Sequence, residues 1–255
     1  KLATRYKVAD NFNIRGSFST GFRAPSLAQI HFSNTLTSFS NGALVQSLVA
    51  PNTSTIARAA GIPELKQEKS VNASLGFTFK PAKAFTITVD GYLVKMKDRV
   101  VLSGLFSKED ATLPDEFTSQ FPAEVSTAQF FANAVNTTNY GIDIVADYTK
   151  KWGVNTLRFL LAANFQHIKI DKINVPSALN GTALNRKTFY SDREEAFLKA
   201  SAPNSKVSLG IDYATGPWGF KAQFTSFGKI LLMGFGDGES PSGDNPNYSG
   251  INPQV

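Results

Sequence analysis

Cysteine is absent from this 255-residue chain, which excludes disulfide frameworks, thiolate metal sites and cysteine catalysis. Histidine is nearly absent too. The two that occur, His31 and His167, form no pair at helical spacing, and neither a nucleophile elbow nor a phosphate-binding loop accompanies them. Both read as surface residues rather than metal ligands, His167 pointing outward because it shares parity with Phe165. Charged residues make up 18% of the chain against a usual share of about 25%. Hydrophobic residues reach 42% at a mean hydropathy of -0.14, yet no run approaches the roughly 18 apolar residues of a membrane-crossing helix. The chain is read as a non-enzyme with no cofactor and no metal.

What the sequence does have is strict alternation. From Asn11 to Phe22, Phe12, Ile14, Phe18 and Phe22 share one parity while Asn13, Arg15, Ser17 and Ser19 share the other. A period of two places one face of a strand in apolar surroundings and the other against water or polar groups. The pattern recurs over 71–80, 85–93, 140–149, 157–166, 207–213 and 218–224, which predicts about seven strands. Residues 1–6 read as the tail of one more. Tight turns rich in Pro, Gly, Lys or Asn fall at Pro81–Ala84, Lys150–Asn155 and Thr215–Pro217 and suit hairpins. Between them run long connections, Arg23–Leu65, Val101–Thr127 and Asp171–Ser205, of a length uncommon inside a compact soluble domain.

Short turns at one end and long loops at the other are the asymmetry of an outer-membrane barrel, and strands of about ten residues match the 9 to 11 that a tilted crossing requires. The expected fold is therefore all-β: an antiparallel up-and-down transmembrane β-barrel, here a partial barrel of about seven strands with long outer loops and short periplasmic turns. A lipocalin-type barrel or a soluble β-rich binding protein would alternate in the same way. Phe12, Phe77, Ile87, Ile144, Phe159 and Leu209 are expected to face lipid, and Arg15, Asn72, Thr88, Asp143 and Asn164 the lumen. An odd strand count, an opening at Lys1 without Met or signal peptide, and an end within a Gly, Asn and Pro-rich loop give the expectation of a fragment.

Four segments in order carry a family resemblance. Ser19–Leu27 reads STGFRAPSL, Leu65–Ser70 reads LKQEKS, Gln129–Ala134 reads QFFANA with Tyr140–Asp143 after it, and Ala202–Lys206 reads APNSK. These resemble the GFRAPSL, LKPEKS, FFTNA…GVD and APRSK segments of TonB-dependent outer-membrane receptors, Gln67 standing where the family has Pro. The resemblance implies that residues 1–255 are part of a receptor β-barrel domain whose plug domain and remaining strands are not included. It implies the outer membrane of a Gram-negative cell, a plug and TonB as partners, and energised uptake of a small ligand such as a ferric siderophore. A passive porin or an adhesin would use the same wall.

Candidate site residues follow from position. Gly21, Phe22, Arg23, Ala24 and Pro25 carry the first motif; Pro25 removes a backbone donor and ends pairing, and Arg23 is expected at the rim, where it reaches the interface or a neighbouring carboxylate. Arg15, Asp90, Asp143, Asp147 and Arg158 have interior parity and are expected to face the plug. Phe130, Phe131, Phe235 and Tyr248 lie in or beside outer loops as possible ligand contacts. Gly234–Glu239 reads as a flexible loop. Ser107–Asp110 and Ser191–Glu194 have the form of helix starts. Net charge is +6, but Lys80, Lys83, Lys95, Lys97, Arg99, Lys150, Lys151, Lys169 and Lys172 are spread over turns and strand ends. That distribution fits rims facing the lipid bilayer and lipopolysaccharide, and no nucleic acid.

Overall fold

The computed structural model describes residues 1–40, 43–181 and 183–231. Eight strands form an antiparallel meander: β1 (Leu2–Ala9), β2 (Phe12–Arg23), β5 (Glu68–Ala82), β6 (Phe85–Leu102), β8 (Thr127–Trp152), β9 (Asn155–Ile173), β10 (Ser205–Thr215) and β11 (Trp218–Phe227). Three more belong to the connections: β3 (Asn34–Ser40), β4 (Ala43–Ala50) and β7 (Phe106–Ser107). Helices are short, α1 (Leu27–His31), α2 (Thr55–Ala59), α3 (Asp115–Thr118), α4 (Ala183–Phe189) and α5 (Asp192–Ala200). None is long and apolar enough to cross a membrane, which says nothing of strands.

The barrel expectation is corrected here. The eleven strands make one open sheet whose path runs from β1 to β11 without joining those two, so no barrel is closed. The count of about seven is also too low. Residues 1–6 belong to a full strand, β1, and β3, β4 and β7 lie within connections read as loops. None of the three presents an apolar face against a polar one: residues 34–37 of β3 are exposed throughout, whereas β4 runs into the loop core at Val49 and Ala50 and β7 at Phe106, so alternation did not mark them. One pairing is parallel, β4 on β8 through Ser47↔Thr127 to Ala50↔Phe130.

Turn chemistry sets the hairpins. Gly153 (φ +53) and Gly216 (φ +52) occupy the left-handed region, which tight hairpin loops need and which glycine enters without a Cβ clash. Ser191 caps α5 as expected: its hydroxyl accepts from the helix backbone while Glu194 reaches back to the Ser191 N–H. Ser107–Asp110 departs from expectation, forming the end of β7 and a turn, with the helix starting only at Asp115.

Over most of the meander the apolar and polar rows fall on opposite faces, with Val145, Leu160 and Ala162 as apolar exceptions on the polar face. Register aligns Phe12, Phe79, Ile87, Ala146, Leu161 and Leu209 on one face. Among the described residues, the buried cluster joins the connections to the loop-side end of β8 and is built on Ile56, Phe106, Phe117, Phe130, Val135, Leu179 and Phe189. Large apolar side chains on the wall stay open, Leu75 at 68% and Phe224 at 65% exposure.

Candidate functional site

Two regions carry the chemistry, the polar face of the wall and the rim where the loops begin. On the polar face, one register row runs Arg15, Gly76, Asp90, Asp143, Asn164, Lys206 across six strands. Arg15 and Asp90 are two strands apart, yet they form a bidentate pair, with Nε to Oδ1 at 2.7 Å and a second bond from Nη2 to Oδ2. Gly76 makes this reach possible. A Cβ there would lie 2.0 Å from Asp90 Oδ1 and 2.6 Å from the Val89 carbonyl, so any side chain would drive the carboxylate off its partner.

Gly141 repeats the device one row closer to the loops. Tyr92 lies across it, a Cβ there falling 2.5 Å from the Tyr92 hydroxyl, and that hydroxyl accepts from Asn164 at 3.3 Å. Asn164 also donates to Asp143 at 2.7 Å. Nearer the short turns, Arg158 Nε donates to Asp147 at 2.7 Å. The five residues expected to face the interior therefore share one face, four of them as two ion pairs and Asp143 held by an amide. Gly76, Tyr92 and Asn164 complete the arrangement; the signal for them was the glycine interrupting an otherwise filled row.

At the rim the motif segments hold one another. Arg23 is the cross-strand partner of Glu68, and its Nε and Nη2 bond the two carboxylate oxygens at 2.8 and 2.6 Å. Glu68 is buried, with a side chain 5% exposed, and also accepts from the Val100 N–H at 2.8 Å. Asn133 clamps the second motif from both sides, accepting from the Lys66 N–H and donating to the Lys66 carbonyl, each at 2.9 Å. It donates further to the Asp98 carbonyl at 2.6 Å. Gln166 ties in the last motif through the Pro203 carbonyl at 3.0 Å. Of the first motif, Gly21 faces Ser70, where a Cβ would sit 2.9 Å from Oγ, Phe22 is exposed, and Ala24 and Pro25 lie just past the end of β2. Glu68 and Asn133 were present in the motifs but unassigned, because their partners lie on other strands.

The outer aromatic residues separate. Phe130 is fully buried, its ring packed against Phe106 and Phe117 with centroids at 6.2 and 6.1 Å. Phe131 is half-buried and its carbonyl accepts from Asn52 at 2.7 Å. Phe235, Tyr248 and the Gly234–Glu239 segment lie outside the described residues. His167 packs beside Tyr140 on the apolar face, the rings tilted at 50° with centroids 5.5 Å apart. An open cleft of about 370 Å³ follows the outer part of β9, lined by His167, Lys169, Asp171, Glu195 and Lys199. Within the loops, burial pushes the Tyr190 hydroxyl above the ordinary tyrosine range, with Glu195 and Glu194 adding to the effect. That hydroxyl has no hydrogen-bond partner among the described residues. No group of three or more metal-ligating side chains occurs among the described residues.

A wall with one polar, ion-paired face and one bare apolar face, capped at one end by packed loops, defines an outer-membrane type of β-sheet. The chain belongs to the TonB dependent receptor-like β-barrel family, whose model matches residues 1–251. Members of that family are transporters rather than enzymes. No protein of curated function matches the sequence significantly. Among solved structures, a mutant of the ferric enterobactin receptor PfeA of Pseudomonas aeruginosa is similar at 12% identity and a TM-score of 0.51, over 90% of this chain and 27% of that one. The siderophore receptor PirA of Acinetobacter baumannii is similar at 15% and 0.52, over 88% and 28%. The copper transporter OprC is similar at 15% and 0.50, over 88% and 26%. At such identities the likeness is one of fold, and the chain spans little more than a quarter of these receptors.

Proposed function

We propose that residues 1–255 form a stretch of the wall and loop cap of a TonB-dependent outer-membrane receptor that takes up a small ligand, in the first instance a ferric siderophore. The two-faced sheet carries this reading. Its apolar face has no covering layer among the described residues, so it fits hydrocarbon rather than a protein interior, which disfavours a soluble binding protein. Its polar face presents Arg15–Asp90, Asp147–Arg158 and Asp143–Asn164, a surface of fixed charges and amides suited to a plug domain and ordered water. The free edges of β1 and β11 offer unpaired backbone groups to further wall strands, since open edges are not stable in lipid.

The cap is where a ligand would first meet the receptor, and Phe131 is the described aromatic residue from the candidate set with an accessible side chain; Phe235 and Tyr248 remain candidates on sequence grounds. The cargo is the least constrained part of the proposal, because receptors for siderophores and a transporter for copper share this wall. Uptake of a radiolabelled ferric siderophore by cells expressing the full receptor tests it. Accumulation that disappears without TonB is the expected result. Accumulation indifferent to TonB favours a passive pore, and surface attachment without accumulation favours an adhesin.

A further inference from the structure

The strands of the wall do not all reach the same height. β10 begins at Ser205, opposite Phe165 of β9, whereas β9 stays paired with β8 as far as Ile173. On the β10 side the Gln166 N–H still donates to the Asn204 carbonyl at 2.8 Å. Above that bond, residues 167–173 have no strand beside them on this side among the described residues. In an antiparallel ladder the N–H and C=O of every second residue point the same way, so Ile168 and Ile170, in phase with Gln166, turn theirs to the unpaired side.

A helix stands across from this stretch. Glu195 and Lys199 of α5 form the far wall of the cleft that residues 167–173 line, and the cleft encloses about 370 Å³. An unpaired strand edge inside a groove lets an extended peptide add as one further strand, its backbone bonding the edge while alternate side chains meet the walls.

Charge selects the peptide. Lys169 and Lys172 stand opposite Thr138 and Asn136, two residues apart on β8, and therefore share a face. The extra residue between them, Asp171, is a bulge that brings Lys172 into line with Lys169. Both lysines are exposed, and neither belongs to an ion pair among the described residues. The carboxylates of the cleft are engaged already: Asp171 accepts from the Thr138 hydroxyl at 2.5 Å, and Glu195 pairs with Lys199. Lysine beside an edge discourages unselected strands from pairing there, so an acidic segment is the class of peptide that the groove admits.

We infer that residues 167–173 of β9 and the facing side of α5 form a docking groove for an extended acidic segment of a partner polypeptide, which adds to β9 as a strand and sets its carboxylates against Lys169 and Lys172. Such a partner is independent of whatever cargo the receptor admits.

The test uses the protein at its full natural length in detergent and a short fluorescent peptide of alternating glutamate and threonine, with binding followed by anisotropy at low salt. The peptide binds, and the combined Lys169→Gln, Lys172→Gln variant weakens it about fivefold or more. The corresponding double arginine variant keeps the affinity, and Lys80→Gln with Lys150→Gln at the turn end leaves it unchanged. Methylating the peptide's backbone nitrogens at one set of alternate residues abolishes binding, and methylating the other set preserves it, because only one set faces β9. Equal sensitivity of the two sets, or none in either, marks charge attraction without strand addition and overturns the groove. So does equal binding by the double glutamine variant or by a peptide with lysine in place of glutamate. Absence of binding to the full-length protein overturns it as well, the receptor's own chain then covering the edge. None of these outcomes alters TonB-dependent uptake, so the groove and the transport reading fail separately.

Discussion

At the scale of single residues, the rim depends on a buried carboxylate that one guanidinium satisfies. Arg23→Ala leaves Glu68 with only the Val100 N–H as partner, and an under-satisfied buried acceptor costs about 1–3 kcal/mol. Thermal unfolding of the purified protein should register that loss, and adding Glu68→Gln should recover part of it by removing the charge. Tyr190 gives a pH test. The folded hydroxyl keeps its proton to higher pH than the ordinary value of 10.0, first because it is buried. Its contribution to stability is therefore complete below that ordinary value and is lost as pH rises through the higher folded one. The denaturant midpoint of the purified protein is expected to fall above about pH 10, and Tyr190→Phe should remove part of that fall without weakening the cap at neutral pH, since the hydroxyl has no hydrogen-bond partner among the described residues.

At the scale of elements, the wall was legible and the cap was not. Alternation located seven of the eight meander strands and assigned their faces, because a strand between two contrasting media repeats every second residue. It also underestimated them. β8 runs from Thr127 to Trp152, but its first part enters the loop core, where both faces are buried and the period disappears. Entry into the loop core also hid β7 and the end of β4, whereas β3 went unmarked because its described residues are exposed on both faces. Phe130 illustrates the cost of reading a loop without its partners: an aromatic side chain beside an outer loop has the sequence signature of a ligand contact, yet Phe106 and Phe117 enclose it. Phe130→Ala should destabilise the cap by about 3–5 kcal/mol, visible as loss of loop protection in hydrogen exchange. A ligand-contact role would instead weaken binding and leave protection intact. Arg15, Asp90, Asp143, Asp147 and Arg158 were placed on a common face by parity, but the pairing of Arg15 with Asp90 across an intervening strand required Gly76, which reads in the sequence as nothing more than a gap.

At the scale of the whole molecule, stability and function rest on which medium touches each face. Among the described residues the sheet has two free edges and no buried layer on its apolar side, so it has the form of a wall and not of a globular domain. Lysine at Ile144 or Phe159 should cost about 2–4 kcal/mol near the bilayer midplane, whereas lysine at Asn164 should cost little beyond its bond to Asp143; folding into lipid vesicles under denaturant titration measures the difference. The most direct measurement of the central claim exploits the absence of cysteine from residues 1–255, which allows one spin label at a time to be attached to this stretch of the receptor in lipid vesicles once any cysteine elsewhere in the full-length protein has been replaced by serine. Cysteine is introduced singly at 142, 143, 144, 145, 146 and 147 along β8, and the label's collision rates with oxygen and with a polar nickel complex are compared. The account predicts a period of two, with oxygen favoured at Ile142, Ile144 and Ala146 and the nickel complex favoured at Asp143, Val145 and Asp147. Uniform accessibility, or the opposite phase, would contradict it.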